Sequence, residues 1–192
     1  MFVMPGRSNP PKLKSRFLQK NAVAADILSP GDIAIRKINI ALTAGIKNPD
    51  LVWWAAYWTS IPYTHALAVV EQETNGANTW GHDGGPEHLF FGHAPAVSAD
   101  NWLAYKRERD RMHEFQGADI VQHTSQWWQD AVDTFGGADQ VLPALLTTFE
   151  VFKRQKATGM TWLEIFTDYN GSPEYGAEVM AKVDAWKQRL GS

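Results

Sequence analysis

The stretch YTHALAVVEQETNGANTWGHD, residues 63–83, decides how the chain is read. It opens as an apolar helix and ends in a polar turn rich in Gly and Asn, with Glu71 and Glu73 at the junction. Ser60 is placed to cap this helix and Pro62 suits its first turn. At about 100° per residue, Glu73 falls between Pro62, Ala66, Val69 and Val70. Glu71 falls nearer Thr64, Leu67 and Ala68. Residues 66–70 are apolar all round, which predicts a central helix. Glu73 also stands near the helix C-terminus, where the macrodipole disfavours negative charge. Desolvation acts in the same direction, and both effects raise a carboxylate pKa. A carboxyl kept protonated near neutral pH is what a general acid requires. The same residues also fit an exposed Glu at a fraying helix end, so the stretch by itself leaves two readings open.

Composition limits what can surround this helix. The chain has 192 residues, enough for one domain or one domain with an N-terminal extension, and 44% of them are hydrophobic. Nine Trp and nine Phe are many for this length; some pack the core, and aromatic rings also stack on sugars. Cysteine is absent, which excludes a disulfide framework and a thiol nucleophile. The N-terminus lacks the apolar run of a signal peptide and no later segment reaches transmembrane length. The expectation is a soluble chain made in the cytoplasm, with no stable membrane insertion.

The net charge of −3 conceals an asymmetry. Residues 1–20 hold five basic side chains (Arg7, Lys12, Lys14, Arg16 and Lys20) and no acidic one. The other 13 basic residues face all 21 acidic ones, so the body carries −8. Such an arm fits a solvated terminus around Pro10-Pro11, or contact with an anionic surface. The body has no basic face interleaved with aromatics, so nucleic acid is not an expected partner.

In order, Ser29-Pro30-Gly31-Asp32 marks a boundary, and residues 32–46 alternate partly, which fits helix or strand, with helix favoured. Asn48-Pro49-Asp50 starts a second, which carries Trp53, Trp54, Tyr57 and Trp58. After the central helix, residues 75–97 read as a loop with a short hairpin. Ser98 opens a helix bearing the mixed-sign run Lys106 to Arg111, read as a solvated face. A turn at Gln116-Gly117 leads through 118–124 into a helix from Ser125 to Phe135, stopped by Gly136-Gly137. A helix from Leu142 to Ala157 follows. Thr161 and Glu164 have capping-box spacing for a short helix over 162–168, broken by Tyr169-Asn170-Gly171. Ser172-Pro173 starts the last helix, which runs to about Arg189. Strand signals are few, so the expected class is mainly α.

Three separated segments then read as one site: Glu73-Thr74-Asn75-Gly76, Gly117 to Gln122, and Asp168-Tyr169-Asn170-Gly171. In this order they resemble the soluble lytic transglycosylase branch of the lysozyme superfamily. The run from about Asn48 to Trp186 resembles more closely the lysozyme-like domain of endolysins from phages of actinobacteria. The Glu-Gln-Glu-Thr-Asn-Gly run, the Gly-His-Asp after it, the Tyr-Lys-Arg-x-Arg-Asp helix and the late Tyr-Asn-Gly-Ser carry that likeness. It implies a lysozyme-like (goose-type) fold in residues 48–192, behind a basic arm and lead-in helix in residues 1–47. The family pattern sets the catalytic Glu directly before a small hydroxyl residue, which selects Glu73 with Thr74 over Glu71. Asp119-Ile120-Val121-Gln122 matches the family's Gly-Leu-Met-Gln, with Asp119 in place of the Gly and Gln122 as a sugar-binding group. Tyr169 and Asn170 match a Tyr-Asn pair that lines the cleft.

The resemblance implies cleavage of the β-1,4 bond between N-acetylmuramic acid and N-acetylglucosamine in peptidoglycan, by a monomer without cofactor or metal, in host lysis. A lytic transglycosylase needs one carboxylate; a muramidase needs a second, for which Asp83, Asp100 and Asp168 are the candidates. Two other function classes stand beside this one. All six histidines lie between residues 65 and 123, and His82, Asp83, Glu87, His88 and His93 could build the zinc site of a wall peptidase, although no HExxH is present. A lysozyme-like scaffold could also serve as a non-catalytic wall-binding or virion protein, because fold does not fix function.

Overall fold

Ser29 caps the helix that follows it. Its hydroxyl accepts from the Asp32 N–H at 3.2 Å, and the Asp32 carboxylate accepts from the Ser29 N–H at 3.1 Å. The structure is a computed structural model that describes residues 29–81 and 96–191. Among these, the helices are α1 (Pro30–Thr43), α2 (Pro49–Thr59), α3 (Tyr63–Glu73), α4 (Ala99–Met112), α5 (Gln126–Asp133), α6 (Val141–Ala157), α7 (Trp162–Asn170) and α8 (Pro173–Leu190). One isolated antiparallel bridge, Ala118 to His123, is the only β pairing among the described residues. The class is mainly α. The hairpin expected in 75–97 falls largely on residues 82–95, outside the described residues.

Helix α3 is the axis of the body. Every residue from Tyr63 to Val70 is buried, and the helix is enclosed mainly by α2 and α8. Full burial of each of Leu67, Val69 and Val70 stabilises by about 1.5–3 kcal/mol, so this one helix anchors much of the core. Its start differs from expectation. Ser60 does not cap α3; it ends α2, in the left-handed region at φ 62°, with its N–H on the Ala56 and Tyr57 carbonyls. Pro62 is the N-cap residue of α3, and its fixed φ of −58° turns the chain between the two helices.

The loop that leaves Glu73 is stitched to the segment between α1 and α2. Lys47 N–H donates to the Asn75 carbonyl at 2.8 Å. Asn48 Nδ2 donates to the Gly76 carbonyl at 2.9 Å instead of capping α2. Gly76 has φ +81°, and a Cβ there would lie 2.0 Å from the Lys47 carbonyl oxygen, so only glycine fits. Helix α1 rests on α2 and α8, which lays the described part of the lead-in segment on the same body as the rest.

The mixed-sign run on α4 is not a solvated face throughout. Arg109 is buried; it donates to Gln129 Oε1 at 3.1 Å and to Asp130 Oδ1 at 3.0 Å, with Asp110 beside it. The helix period turns this residue, unlike Arg107 or Arg111, toward α5, where acceptors offset its desolvation. Lys106 pairs with Asp133 at 2.9 Å. Further along, α7 runs two residues beyond its expected end and stops at Gly171, φ 81°. Tyr169 and Asn170 are therefore positioned by a helix. The crossing of α7 over α8 is close because residue 176 is glycine: a Cβ there would meet Thr167 Oγ1 at 2.3 Å.

His65 couples this core to pH. It is buried on α3, its ring 4.4 Å from that of Trp162. Burial, reinforced by Lys187 and Lys156 and partly opposed by Asp184, lowers its pKa from 6.5 to about 4. The unfolded chain therefore binds a proton that the folded chain does not between these values. Stability is full above about pH 6.5 and falls as pH drops toward 4, by on the order of 2 kcal/mol. Urea unfolding at pH 7 and pH 4.5 is expected to show this loss, and His65→Leu is expected to reduce it by about that amount.

Candidate active site

Glu73 is the last residue of α3, where the buried helix reaches the surface of a cleft of about 370 Å³. The cleft is lined by Glu73, Thr79, Trp80 and Gly81 from one segment, by Gln122, His123, Thr124 and Trp128 from the turn before α5 and α5 itself, and by Tyr169 and Asn170 at the end of α7. The three segments singled out in the sequence meet here. Glu73, Gln122, Tyr169 and Asn170 are all in the lining.

The two carboxylates of the junction separate cleanly. Glu71 faces α8: it accepts from Trp186 Nε1 at 2.7 Å and from Lys182 Nζ at 3.4 Å. Glu73 faces the cleft and accepts a hydrogen bond from the Tyr175 hydroxyl. Tyr175 lies in the first turn of α8 and is buried. Burial first, then the Glu73 charge and the hydrogen bond to it, pushes the Tyr175 phenol far above its ordinary range, so it stays a donor at any working pH. Sequence reasoning missed this residue. It belongs to none of the motif segments and reaches Glu73 across 102 positions.

The turn that carries Gln122 hangs on the residue after the acid. Thr74 Oγ1 donates to the Ile120 carbonyl at 2.7 Å. Asp119 stands in the left-handed region, φ 76°, so the backbone takes a conformation that glycine favours and aspartate tolerates. Its side chain is fully buried. Oδ1 accepts from the Val121 N–H at 2.8 Å and Oδ2 meets His123 Nδ1 at 2.7 Å, while His123 Nε2 meets Thr148 Oγ1 of α6 at 2.8 Å. A residue with a carboxylate thus does more than a glycine here: it locks the turn to α6. His123 in turn stacks under Trp128, centroids 4.8 Å apart and planes within 15°. Gln122 Nε2 donates to the Thr79 and Asp119 carbonyls, at 2.9 and 2.8 Å, and so ties two walls of the cleft together. Tyr169 donates to the Val121 carbonyl at 2.5 Å. Its phenol, buried first and then faced by Glu73, Tyr175 and Asp119, also stays protonated.

Of the candidate second carboxylates, the two that are described, Asp100 and Asp168, are not in the lining around Glu73. Asp100 is exposed in the first turn of α4, and Asp168 accepts from Gln155 Nε2 at 2.6 Å in a separate cavity. Asp83 lies outside the described residues. Among the described residues lining the cleft, Glu73 is the sole carboxylate. Trp80 and Trp128 supply aromatic walls, whereas Trp54, Tyr57 and Trp58 are exposed on α2 and belong to other surfaces.

The histidines named for a metal site divide. His82, His88 and His93, with Asp83 and Glu87, lie outside the described residues. His65 and His123 are buried in separate hydrogen bonds, with Thr64 and with Asp119 and Thr148, and His113 ends α4. Among the described residues, no group of three His, Cys, Asp or Glu could hold a metal, and no helix is long and apolar enough to cross a membrane. Compared with family models, with curated proteins and with solved structures, the chain matches none.

Proposed function

We propose that the chain cleaves the glycan strand of peptidoglycan at the β-1,4 bond between N-acetylmuramic acid and N-acetylglucosamine, on a lysozyme-like fold, as an endolysin does in host lysis. The observation that carries this reading is a carboxyl, Glu73, set at the end of a buried helix in a cleft walled by Trp80, Trp128 and Tyr169. Flat aromatic walls suit pyranose rings, and amide and hydroxyl groups suit their substituents. The carboxyl accepts a hydrogen bond from the Tyr175 hydroxyl and is the sole carboxylate among the described residues of the lining.

In this mechanism Glu73 gives its proton to the glycosidic oxygen as the C1–O bond breaks. The N-acetylglucosamine end leaves as an alcohol, and positive charge develops at the muramic C1. The muramic N-acetyl oxygen stabilises that centre. The C6 hydroxyl then attacks C1 and returns a proton to Glu73, now the base, which closes a 1,6-anhydro ring. One carboxylate serves both steps of this lytic transglycosylase course, whereas hydrolysis would call on a second carboxylate, for which Asp83 is a candidate.

Tyr175 is a positioning residue in this scheme. Tyr175→Phe is expected to lower turnover about tenfold with little change in KM, through loss of an orienting hydrogen bond that is strongest once Glu73 has given up its proton. The test of the reading itself is digestion of purified peptidoglycan with product masses read by mass spectrometry. Anhydro-muramic ends are the expected result. Reducing muramic ends, heavier by one water, would make the chain a muramidase. Intact glycan bound without cleavage would replace the enzyme by a wall-binding protein.

A further inference from the structure

Helix α2 presents an aromatic face that the Glu73 cleft does not use. Its core side buries Val52, Ala55, Ala56 and Thr59. At about 100° per residue, Trp54, Tyr57 and Trp58 turn the opposite way. They are 52%, 69% and 67% exposed, so each ring stands largely in solvent. Trp54 and Tyr57 meet edge to face with ring centroids 6.3 Å apart, which joins them into one patch. Beside it lies a groove of about 410 Å³ whose walls include Trp53, Tyr57, Ile61 and Tyr63 and carry no charged side chain. Single exposed apolar residues are ordinary; two indoles and a phenol on one helix side are a surface built to be covered.

Charge decides what covers it. From residue 47 to residue 63 the charged side chains are Lys47 and Asp50, of opposite sign, so the face itself is neutral. Residues 1–20 hold five basic side chains and no acidic one. They precede α1, which packs on α2. The stretch from Lys20 to the start of α1 spans up to about 30 Å when extended, enough to bring these charges to a surface on which α2 lies. A neutral aromatic face with a cationic segment in reach complements an anionic bilayer. Indole and phenol rings settle at the headgroup level, with the ring in the acyl boundary and the N–H or O–H toward water. Lys and Arg gain from the negative surface potential of anionic lipids. A pyranose would ask for amide or carboxylate side chains around the rings, and the groove walls have none.

We propose that the face of α2 formed by Trp54, Tyr57 and Trp58 docks the protein on an anionic lipid surface, with residues 1–20 adding electrostatic attraction. The protein rests on the bilayer without crossing it by any described helix, none of which is long and apolar enough. The inference stands apart from the glycan reading, because none of the three rings lines the Glu73 cleft.

The test uses the full chain with vesicles of phosphatidylglycerol and phosphatidylcholine, and with pure phosphatidylcholine for comparison. Co-sedimentation is expected to show binding to the anionic vesicles at least about tenfold tighter than to the neutral ones. Trp54→Ser combined with Trp58→Ser is expected to weaken that binding by about tenfold or more, with thermal melting unchanged. Lys12→Gln combined with Lys14→Gln is expected to weaken it by about tenfold on the anionic vesicles alone. Anionic vesicles containing lipid brominated in its acyl chains are expected to quench the wild-type tryptophan fluorescence, and to quench the double tryptophan variant much less. This readout separates ring insertion from charge attraction. Absence of binding to anionic vesicles, or of quenching in the wild type, overturns the proposal without recourse to any variant. Binding and quenching that survive the loss of both tryptophans overturn it as well. So does a dimer in sedimentation velocity that the same variant dissolves, because a second copy of the chain then covers the face.

Discussion

Glu73→Gln is expected to lower glycan cleavage by about 10³-fold or more while leaving folding stability within about 0.5 kcal/mol of wild type. Glutamine keeps the volume and the acceptor that Tyr175 holds, but it has no acidic proton to give. The reaction then loses the acid in its first step and the base in its second. The control is Glu71→Gln, two residues away on the same helix. Glu71 is spent on Trp186 and Lys182, so its replacement is expected to cost stability and to leave the cleavage rate within about twofold. Release of soluble fragments from peptidoglycan, followed with urea unfolding of each variant, measures both. A Glu73→Gln rate within tenfold of wild type would remove Glu73 as the acid.

Asp119→Ala is expected to destabilise the protein by about 3–5 kcal/mol, a large effect for a position in a turn. The carboxylate is fully buried and serves the Val121 N–H and His123 Nδ1 together. Its loss strands both partners and leaves alanine at φ 76°, where aspartate is better tolerated. Asp119→Gly relieves the backbone term alone, so it is expected to be less harmful than alanine yet still well below wild type. Denaturant midpoints of the two variants check the order. Activity is expected to fall with stability, because the same turn carries Gln122 and supports Trp128 through His123.

Much of the helical order is legible in residue types. Ser29 with Asp32, Ser98 with Asn101 and Thr161 with Glu164 each form the reciprocal cap that fixes a helix start, and Gly171 closes α7 as its lack of a Cβ allows. Where sequence and structure part, the cause is tertiary. Ser60 has the chemistry of an N-cap but is claimed by the end of α2. Arg109 sits in a run that reads as solvated, yet helix packing turns it inward onto Gln129 and Asp130. Its spacing from Trp102 and Tyr105 puts it on their face of α4, and the acceptors that await it there come from α5.

The sequence by itself determined a mainly helical chain, the burial of the 63–70 helix and the placing of an acid at its end, because periodicity, capping and apolar content act over a few residues. The convergence of Glu73, Gln122, Tyr169 and Asn170 was anticipated only through a resemblance in motif order. Which carboxylate faces the cleft in space, that Tyr175 holds it, that Asp100 and Asp168 stand apart from it, and that Asp119 and His123 lock the turn to α6 were decided by the tertiary structure. Those relations join residues as many as 102 positions apart. Local propensity carries no information over such a span; only the packing of α3, α7 and α8 around a shared core brings the partners within hydrogen-bond reach.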